Sequence, residues 1–321
     1  MEWLFPAFIA AVVASLVVTR LVLGMLERRS ILDLPNQRSS HRSPTPKGGG
    51  IAVVTVIAIC WTVPALNSLI VGTILLGGLL LALVSWVDDL KTVGVLTRLI
   101  FQFAAVVTAL YFMDNEGLLL QGLAPKWLDR ICTTLLWVWF INLFNFMDGI
   151  DGIASVEAMV ISCGITILSF TSPALAPDPW LSLSIFGVAI GFLRSNWPPA
   201  KLFLGDVGSI PLGYMLGGLL ILVAMKGAWQ IALILPLYFL LDSTVTLCRR
   251  TFHLKPIWRA HREHYYQQAV NSGKSHAEVT TAVAILGVVL IGLTHLPLGQ
   301  PFLPVVIAAG LNIFLMTWMV K

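Results

Sequence analysis

The chain is organised around Asn142–Glu157, which reads NLFNFMDGIDGIASVE. Its carboxylates, Asp148 and Asp151, lie three residues apart, and Asn142 and Asn145 precede them at the same spacing. Three residues is close to one helical turn, so the four polar side chains can share one face of a helix that the nearby glycines weaken. Apolar runs flank this polar cluster, which is costly there unless it meets water, a cation or a substrate.

The composition of the whole chain gives this cluster its setting. The chain has 321 residues, of which 57% are hydrophobic and only 11% charged, and its mean hydropathy is +0.87. A water-soluble fold of this length does not hide so much apolar surface, so the composition predicts a polytopic membrane protein. The apolar runs are continuous rather than alternating, which favours membrane-spanning helices over a barrel.

The apolar runs predict one all-α transmembrane domain over residues 1–321, a helical bundle of about eleven spans with its active site at the cytoplasmic face. We place the spans near residues 3–26, 49–66, 68–87, 97–113, 128–146, 152–171, 180–194, 208–225, 229–248, 279–296 and 302–320. The stretches between them predict cytoplasmic loops at 27–50, 88–97, 145–152, 195–208 and 249–278.

Lysine and arginine residues set the predicted orientation. Most of them fall in the first loop, in the loops after the third and seventh spans, and in the long loop before the tenth span. The positive-inside rule makes these loops cytoplasmic. An odd number of spans then puts the N-terminus in the periplasm and Lys321 in the cytoplasm. The net charge of +4 reflects this asymmetry and gives no sign of a nucleic-acid partner.

Several acidic segments gather on the predicted inner face. Asp88 and Asp89 end the third span, where they are either a solvated charge pair or a general base beside a metal. Asp206 lies in the run GDVGS at a helix start. Alone it would be a turn, but together with Asp148 and Asp151 it predicts an oxygen-ligand site for Mg2+.

Three further features keep two interpretations each. The glycines that follow Lys47 either allow close helix–helix contact or, with Lys47, hold a phosphate. The loop that carries His261 and His264 is either a plain surface loop or a cationic grip on a phosphate-bearing ligand. Asp242 lies within an apolar run, where it could be a structural partner for a polar group of a neighbouring helix.

The motifs together resemble the polyprenyl-phosphate N-acetylhexosamine-1-phosphate transferase family, from Asp33 to the segment His261–His264 and in the family's order. The resemblance implies transfer of a sugar 1-phosphate from a UDP-sugar to undecaprenyl phosphate, with release of UMP. It implies Mg2+ as cofactor, with Mn2+ as an alternative ion. It also implies a location in the bacterial inner membrane and leaves a homodimer open.

The resemblance assigns roles residue by residue. The expected catalytic residues are Asp88, Asp89, Asp151 and His264. The expected metal ligands are Asp206 and Asp151. The expected substrate-binding residues from the resemblance are Asn145, Asp148, Phe203 and His261, with Phe203 near the uracil. Lys47, Asn142, Arg259 and Arg262 are added to them because of their charge or spacing.

The last long loop separates branches of the family. Its run AHREHYYQ differs from the three consecutive histidines of the peptidoglycan enzymes and resembles the branch that starts O-antigen or capsule chains of surface polysaccharide and lipopolysaccharide. This predicts UDP-GlcNAc or a 6-deoxy relative such as UDP-QuiNAc or UDP-FucNAc as donor, and not the muramoyl pentapeptide. A common-antigen or peptidoglycan-precursor transferase is the alternative within the family.

An ion or solute transporter is the rival class, because intramembrane carboxylates often mark ion pathways. The acidic residues of this chain cluster at one interface rather than at the midplane, and no inverted repeat is visible. Both observations favour the transferase.

The topology is directly testable. We expect a reporter fused after Lys321 to be active only in the cytoplasm, because the charge asymmetry and the odd number of spans both require it. Activity confined to the periplasm would show that one span is miscounted in the final hairpin, around residues 297–301.

Overall fold

The computed structural model describes residues 2–35, 43–91, 93–255, 261–295 and 302–321, and this part of the chain is almost entirely helical. The α-helices, numbered α1 to α13, are Leu4–Arg28, Gly50–Asn67, Leu69–Leu90, Val95–Phe112, Lys126–Phe146, Ile153–Thr171, Pro179–Asn196, Asp206–Val223, Trp229–Ile234, Leu237–Phe252, Tyr265–Asn271, His276–Thr294 and Phe302–Met319. Two short strands, β1 (Leu32–Asp33) and β2 (Thr45–Pro46), pair antiparallel in the first loop. The predicted all-α class is confirmed.

Eight helical stretches among the described residues are long and apolar enough to cross a membrane. They are 4–28, 50–67, 69–90, 95–112, 153–171, 206–234, 276–294 and 302–319. The predicted spans 128–146 and 180–194 do form helices, α5 and α7, but neither is among the eight. The structure therefore has the helices of a polytopic membrane protein, while the count of eleven spans stays a prediction.

The predicted span 229–248 is wrong as a single helix. Helix α8 ends at Val223, a kink at Gly227 separates it from α9, and a new helix, α10, begins at Leu237. Pro236 explains the break before α10, because proline lacks the backbone N–H that a helix interior needs and its ring clashes with the preceding turn. Gly227 allows the kink, since its φ of +100° suits glycine and few other residues.

Helix α8 is the centre of the bundle. Its membrane-length window is wholly buried, and it packs against α2, α3, α5 and α6. Trp137 of α5 stacks on Tyr214 of α8 with ring centroids 5.0 Å apart, and its indole N–H donates to the Tyr214 carbonyl. The Tyr214 hydroxyl in turn donates to the carbonyl of Ala105 in α4. Aromatic packing and backbone acceptors thus fix α8 against its neighbours.

The first loop is tied to the segment that leads into α8. The N–H groups of Gly48 and Gly49 donate to the Phe203 carbonyl at 3.2 and 2.8 Å. The N–H of Gly50 donates to the Leu204 carbonyl at 2.8 Å. A Cβ at Gly50 would collide with the backbone of Gly208, so the starts of α2 and α8 cross without side chains between them. This crossing places Lys47 beside the start of α8 and supports the helix-contact interpretation of the glycine run.

Gly50→Ala tests this crossing. We expect a lower thermal unfolding temperature in detergent, because an added methyl group at a filled backbone contact typically costs about 1–3 kcal/mol. Gly24→Ala in α1 is the matched control, since nothing lies within 4 Å of a Cβ built at Gly24. Equal unfolding temperatures for both variants and the unmodified protein would contradict the close crossing.

Candidate active site

Several helix termini meet at one end of the bundle. The end of α3 carries Asp88 and Asp89, the start of α4 carries Arg98, and the end of α5 carries Asn145. Asp206 is the first residue of α8 and therefore lies where helix N–H groups have no intrahelical partner. The contacts between these residues define a single polar cluster, which we call the acidic site.

Asp206 is the centre of the acidic site. Its Oδ1 accepts a hydrogen bond from Asn145 Nδ2 at 3.2 Å and lies 3.9 Å from Lys47 Nζ. Its Oδ2 lies 3.6 Å from Arg98 Nη1. Ser209, one turn further along α8, accepts a second hydrogen bond from the same Asn145 amide at 2.9 Å. Three separate segments of the chain thus direct polar groups to one carboxylate.

The adjacent Asp88 and Asp89 are paired with different cations. Arg98 Nη1 lies 2.8 Å from Asp88 Oδ2, and the Val93 N–H donates to Asp88 Oδ1 at 2.6 Å. Lys47 Nζ lies 2.6 Å from Asp89 Oδ1. Burial alone would lower the pKa of Lys47, but the charges of Asp206 and Asp89 outweigh it, so that pKa is raised and the ammonium stays charged.

Asp148 and Asp151 lie in the turn between α5 and α6. Burial and then the nearby charge of Asp206 raise the pKa of Asp148 well above its usual range, and Asp151 raises it further. Asp151 is itself buried, and its Oδ2 accepts from the Ala200 N–H at 3.0 Å and lies 3.3 Å from His276 Nδ1. The contacts of Asp151 therefore run to the loop before α8 and to the start of α12.

The acidic site can be tested for its fit to Mg2+. The described residues contain no preformed group of three or more His, Cys, Asp or Glu that could hold a metal. However, Asp89 Oδ2 is buried and accepts no hydrogen bond from the described residues. Asp206 is close to Asp89, because the Lys47 ammonium contacts both carboxylates. Mg2+ commonly binds one or two carboxylates and takes its other ligands from water and substrate phosphates. Asp206 and Asp89 fit that pattern, and Asp151 stays a predicted ligand.

The histidine loop docks against the turn that carries Asp148. His264 is buried, and its Nδ1 lies 3.3 Å from Asp242 Oδ1. Tyr266 donates its hydroxyl hydrogen to the Phe146 carbonyl at 2.9 Å, and a Cβ on Gly149 would collide with that hydroxyl. The loop is therefore in contact with the turn between α5 and α6 rather than free in solvent.

The remaining predicted residues divide between the loop and the packed bundle. Burial, and then the charges of His264 and Arg250, lower the pKa of His261 to about 4, so His261 is neutral at pH 7. Arg262 is half-buried, and Arg259 lies outside the described residues. Asn142 exchanges hydrogen bonds with Gln102 of α4, which gives it a packing role that the sequence did not reveal.

Phe203 reaches the site through its backbone. It forms a parallel bridge with Lys47 and its N–H donates to the Pro46 carbonyl at 2.9 Å. The expected contact of its ring with uracil stays a prediction.

Sequence reasoning missed three contributors to the site. In the sequence, Arg98 counts only toward the charge asymmetry of the inner loops. A basic residue in the first turn of an apolar helix is nevertheless a usable signal for a site. Asp242 was noticed, but its partners were not. His276 opens α12 beside Asp151 and carried no motif at all.

Comparisons of the sequence with known proteins find similarity to glycosyl transferases. Residues 71–224, nearly half of the chain, match the model of glycosyl transferase family 4. The matched region runs from α3 to the end of α8 and so includes Asp88, Asp89, Asn145 and Asp206. The similarity to that family therefore lies in the part of the chain that supplies most of the acidic site.

Individual relatives extend the similarity over most of the chain. A probable undecaprenyl-phosphate N-acetylglucosaminyl 1-phosphate transferase of Bacillus subtilis is 25% identical over 88% of this chain and 81% of its own length. A decaprenyl-phosphate N-acetylglucosaminephosphotransferase of Mycolicibacterium smegmatis is 26% identical over 80% and 73%. A phospho-N-acetylmuramoyl-pentapeptide-transferase of Caldicellulosiruptor bescii is 27% identical over 67% and 74%.

The docking of the histidine loop is testable without any substrate. Tyr266→Phe removes the hydrogen bond to the Phe146 carbonyl, worth about 1 kcal/mol, so amide hydrogen exchange in residues 265–271 should become about fivefold faster. Tyr265→Phe is the matched control, because the Tyr265 ring lies near Arg249 and none of its described contacts uses the hydroxyl. If the two variants exchange at the same rate, the Tyr266 hydroxyl does not hold the loop.

Proposed function

We propose that this chain transfers an N-acetylhexosamine 1-phosphate from a UDP-sugar to undecaprenyl phosphate and releases UMP. The observation that carries the proposal is the acidic site, where Asp88, Asp89 and Asp206 share two cations at one end of an apolar bundle. A lipid phosphate can reach this position from the bilayer, and a nucleotide sugar can reach it from water. The names of the three relatives above describe the same class of sugar-phosphate transfer.

The reaction forms one phosphoanhydride bond and breaks another. An oxygen of the lipid phosphate attacks the β-phosphorus of the UDP-sugar, and UMP leaves with the oxygen that had bridged the two phosphates. Both reactants are anions, so their approach needs positive charge. Lys47 and Arg98 supply it, because each is held near Asp206 and can exchange a carboxylate partner for a phosphate oxygen.

Asp88 is placed to serve the lipid phosphate. Its carboxylate is held by Arg98 and by the Val93 N–H. A phosphate that binds Arg98 would compete for that guanidinium and leave Asp88 beside the attacking group. In the direct route Asp88 accepts a proton from the lipid phosphate, which then attacks the donor. In the alternative route Asp88 attacks the β-phosphorus and UMP leaves, and the lipid phosphate then displaces Asp88 from the sugar phosphate.

Asp206 and Asp89 are the residues that would hold Mg2+, with Asp151 as a further predicted ligand. When bound, the ion supplies positive charge that offsets the charge developing on the departing UMP. Asn145 keeps the Asp206 carboxylate oriented through its hydrogen bond, and Lys47 holds Asp89 and Asp206 near each other before a ligand enters.

The histidine loop is the proposed donor side of the site. His264 lies in the loop that contacts the Asp148 turn, so it can meet the diphosphate or sugar of a donor bound there. UDP-GlcNAc is the favoured donor, since two of the relatives named above are N-acetylglucosaminyl transferases. The 6-deoxy donors and the O-antigen or capsule pathway rest on the loop motif alone. We place the site on the cytoplasmic side of a bacterial inner membrane.

Release of UMP tests the proposal. Purified protein with Mg2+, undecaprenyl phosphate and labelled UDP-GlcNAc should form lipid-linked GlcNAc and UMP in equal amounts. Asp206→Asn should lower turnover on the order of 100-fold without loss of fold, because the site would lose its central charge. Asp114→Asn is the matched control, since Asp114 is exposed in the loop between α4 and α5 and pairs with Lys126 at the start of α5.

Two results would contradict the proposal. Near-normal UMP release by Asp206→Asn at ordinary Mg2+ would remove Asp206 from the reaction. No UMP release by the unmodified protein with any UDP-N-acetylhexosamine would overturn the function itself.

A further inference from the structure

Asp242 is a buried carboxylate for which the proposed mechanism gives no role. Its side chain is fully shielded from solvent in the middle of α10. Five donors converge on its two oxygens. They are the Tyr238 hydroxyl at 3.1 Å, the Thr246 hydroxyl at 3.3 Å, His264 Nδ1 at 3.3 Å, the Tyr265 N–H at 2.9 Å and the Tyr266 N–H at 3.2 Å.

These donors come from two separate parts of the chain. The two hydroxyl donors belong to α10 itself, one turn before and one turn after Asp242. The other three belong to the histidine loop and to the first turn of α11, whose N–H groups have no intrahelical partner. Asp242 therefore satisfies the start of α11 from a distant helix and fixes His264 with the same carboxylate.

The contact with Asp242 bears on which nitrogen of the His264 ring carries the hydrogen. A carboxylate oxygen accepts hydrogen bonds, so a hydrogen bond in this contact places the hydrogen on Nδ1 of His264, in competition with the capping contact in which the His264 side chain accepts from the Gln267 N–H. In the neutral ring that leaves Nε2 as the nitrogen with a free lone pair, able to accept a proton or a hydrogen bond from a ligand. The rings of Tyr266 and His261 lie 5.8 and 4.9 Å from the His264 ring and restrict its rotation.

We propose that Asp242 is the positioning residue for His264: it fixes the Nδ1–H tautomer and the ring orientation, so that Nε2 is the nitrogen used in the reaction. The use of Nε2 in the reaction rests on the proposed function. The tautomer and the ring orientation do not, since they are properties of the protein without substrate. It predicts that the effect of Asp242 on turnover requires His264.

The tautomer is measured first, on the intact protein in detergent with ¹⁵N-labelled histidine. The chain has six histidines, and the His264 signals are those that disappear in His264→Ala. At a pH where the ring is neutral, we expect a protonated Nδ1 and a bare Nε2, and we expect that pattern to be lost in Asp242→Asn. A protonated Nε2 in the unmodified protein would overturn the proposal, whether or not Asp242→Asn folds and even if the chain catalyses another reaction.

Kinetics then tests how Asp242 acts. Loss of a buried hydrogen bond to a charged group should lower kcat for UMP release about 10- to 100-fold in Asp242→Asn. The double variant Asp242→Asn/His264→Ala should be no slower than His264→Ala, because a positioning residue has nothing left to position. Tyr238→Phe removes a different hydrogen bond to the same carboxylate and should change kcat by no more than about fivefold.

The outcomes separate a positioning role from a purely structural one. If Asp242→Asn lowers kcat of the His264→Ala enzyme as much as it lowers that of the unmodified enzyme, Asp242 acts on the fold and the proposal is wrong. Absence of UMP release by the unmodified enzyme would overturn the proposed function, while the tautomer measurement would still decide the contact between Asp242 and His264.

Discussion

The acidic site depends on one backbone contact, the crossing of α2 and α8 at Gly50 and Gly208. A side chain at either glycine would separate the two helix starts. Because the helices touch, the N–H groups of residues 48–50 reach the carbonyls of Phe203 and Leu204. Those hydrogen bonds set the position of Lys47, the cation between Asp89 and Asp206. A packing constraint thus decides where the charge of the site lies.

Charge balance is the second constraint. Three carboxylates so close together at the end of an apolar bundle repel one another, and desolvation adds to the cost. Lys47 and Arg98 offset this repulsion, and each contacts two of the three carboxylates. The same cations are those that phosphate oxygens would bind. The arrangement that keeps the site stable without ligand is therefore also the arrangement that can exchange partners when an anionic ligand enters.

The sequence predicted those parts of the site that follow from spacing within one segment. Asp88 and Asp89 end α3 as predicted. Asn145 lies in the last turn of α5 and bonds to Asp206, but Asp148 and Asp151, which the spacing placed on the same helical face, lie in the turn beyond α5. The sequence could not predict contacts between distant segments. Arg98 reaches Asp206 only because α4 starts beside α8. Asn142 bonds to Gln102 because α4 also packs against α5. The break within 229–248 is different, because Pro236 marks it in the sequence although the apolar run continues on both sides of the proline.

The histidine loop and the acidic site are connected by a chain of direct contacts. Asp242 holds the start of α11, and Tyr266 in that helix bonds to the Phe146 carbonyl at the end of α5. One residue earlier in α5, the Asn145 amide bonds to Asp206. The position of the histidine loop is therefore fixed relative to the acidic site through a helix end and not through a flexible linker. A reaction between two anions needs such fixed geometry, because the approach of the reacting phosphates depends on charges held in place before they bind.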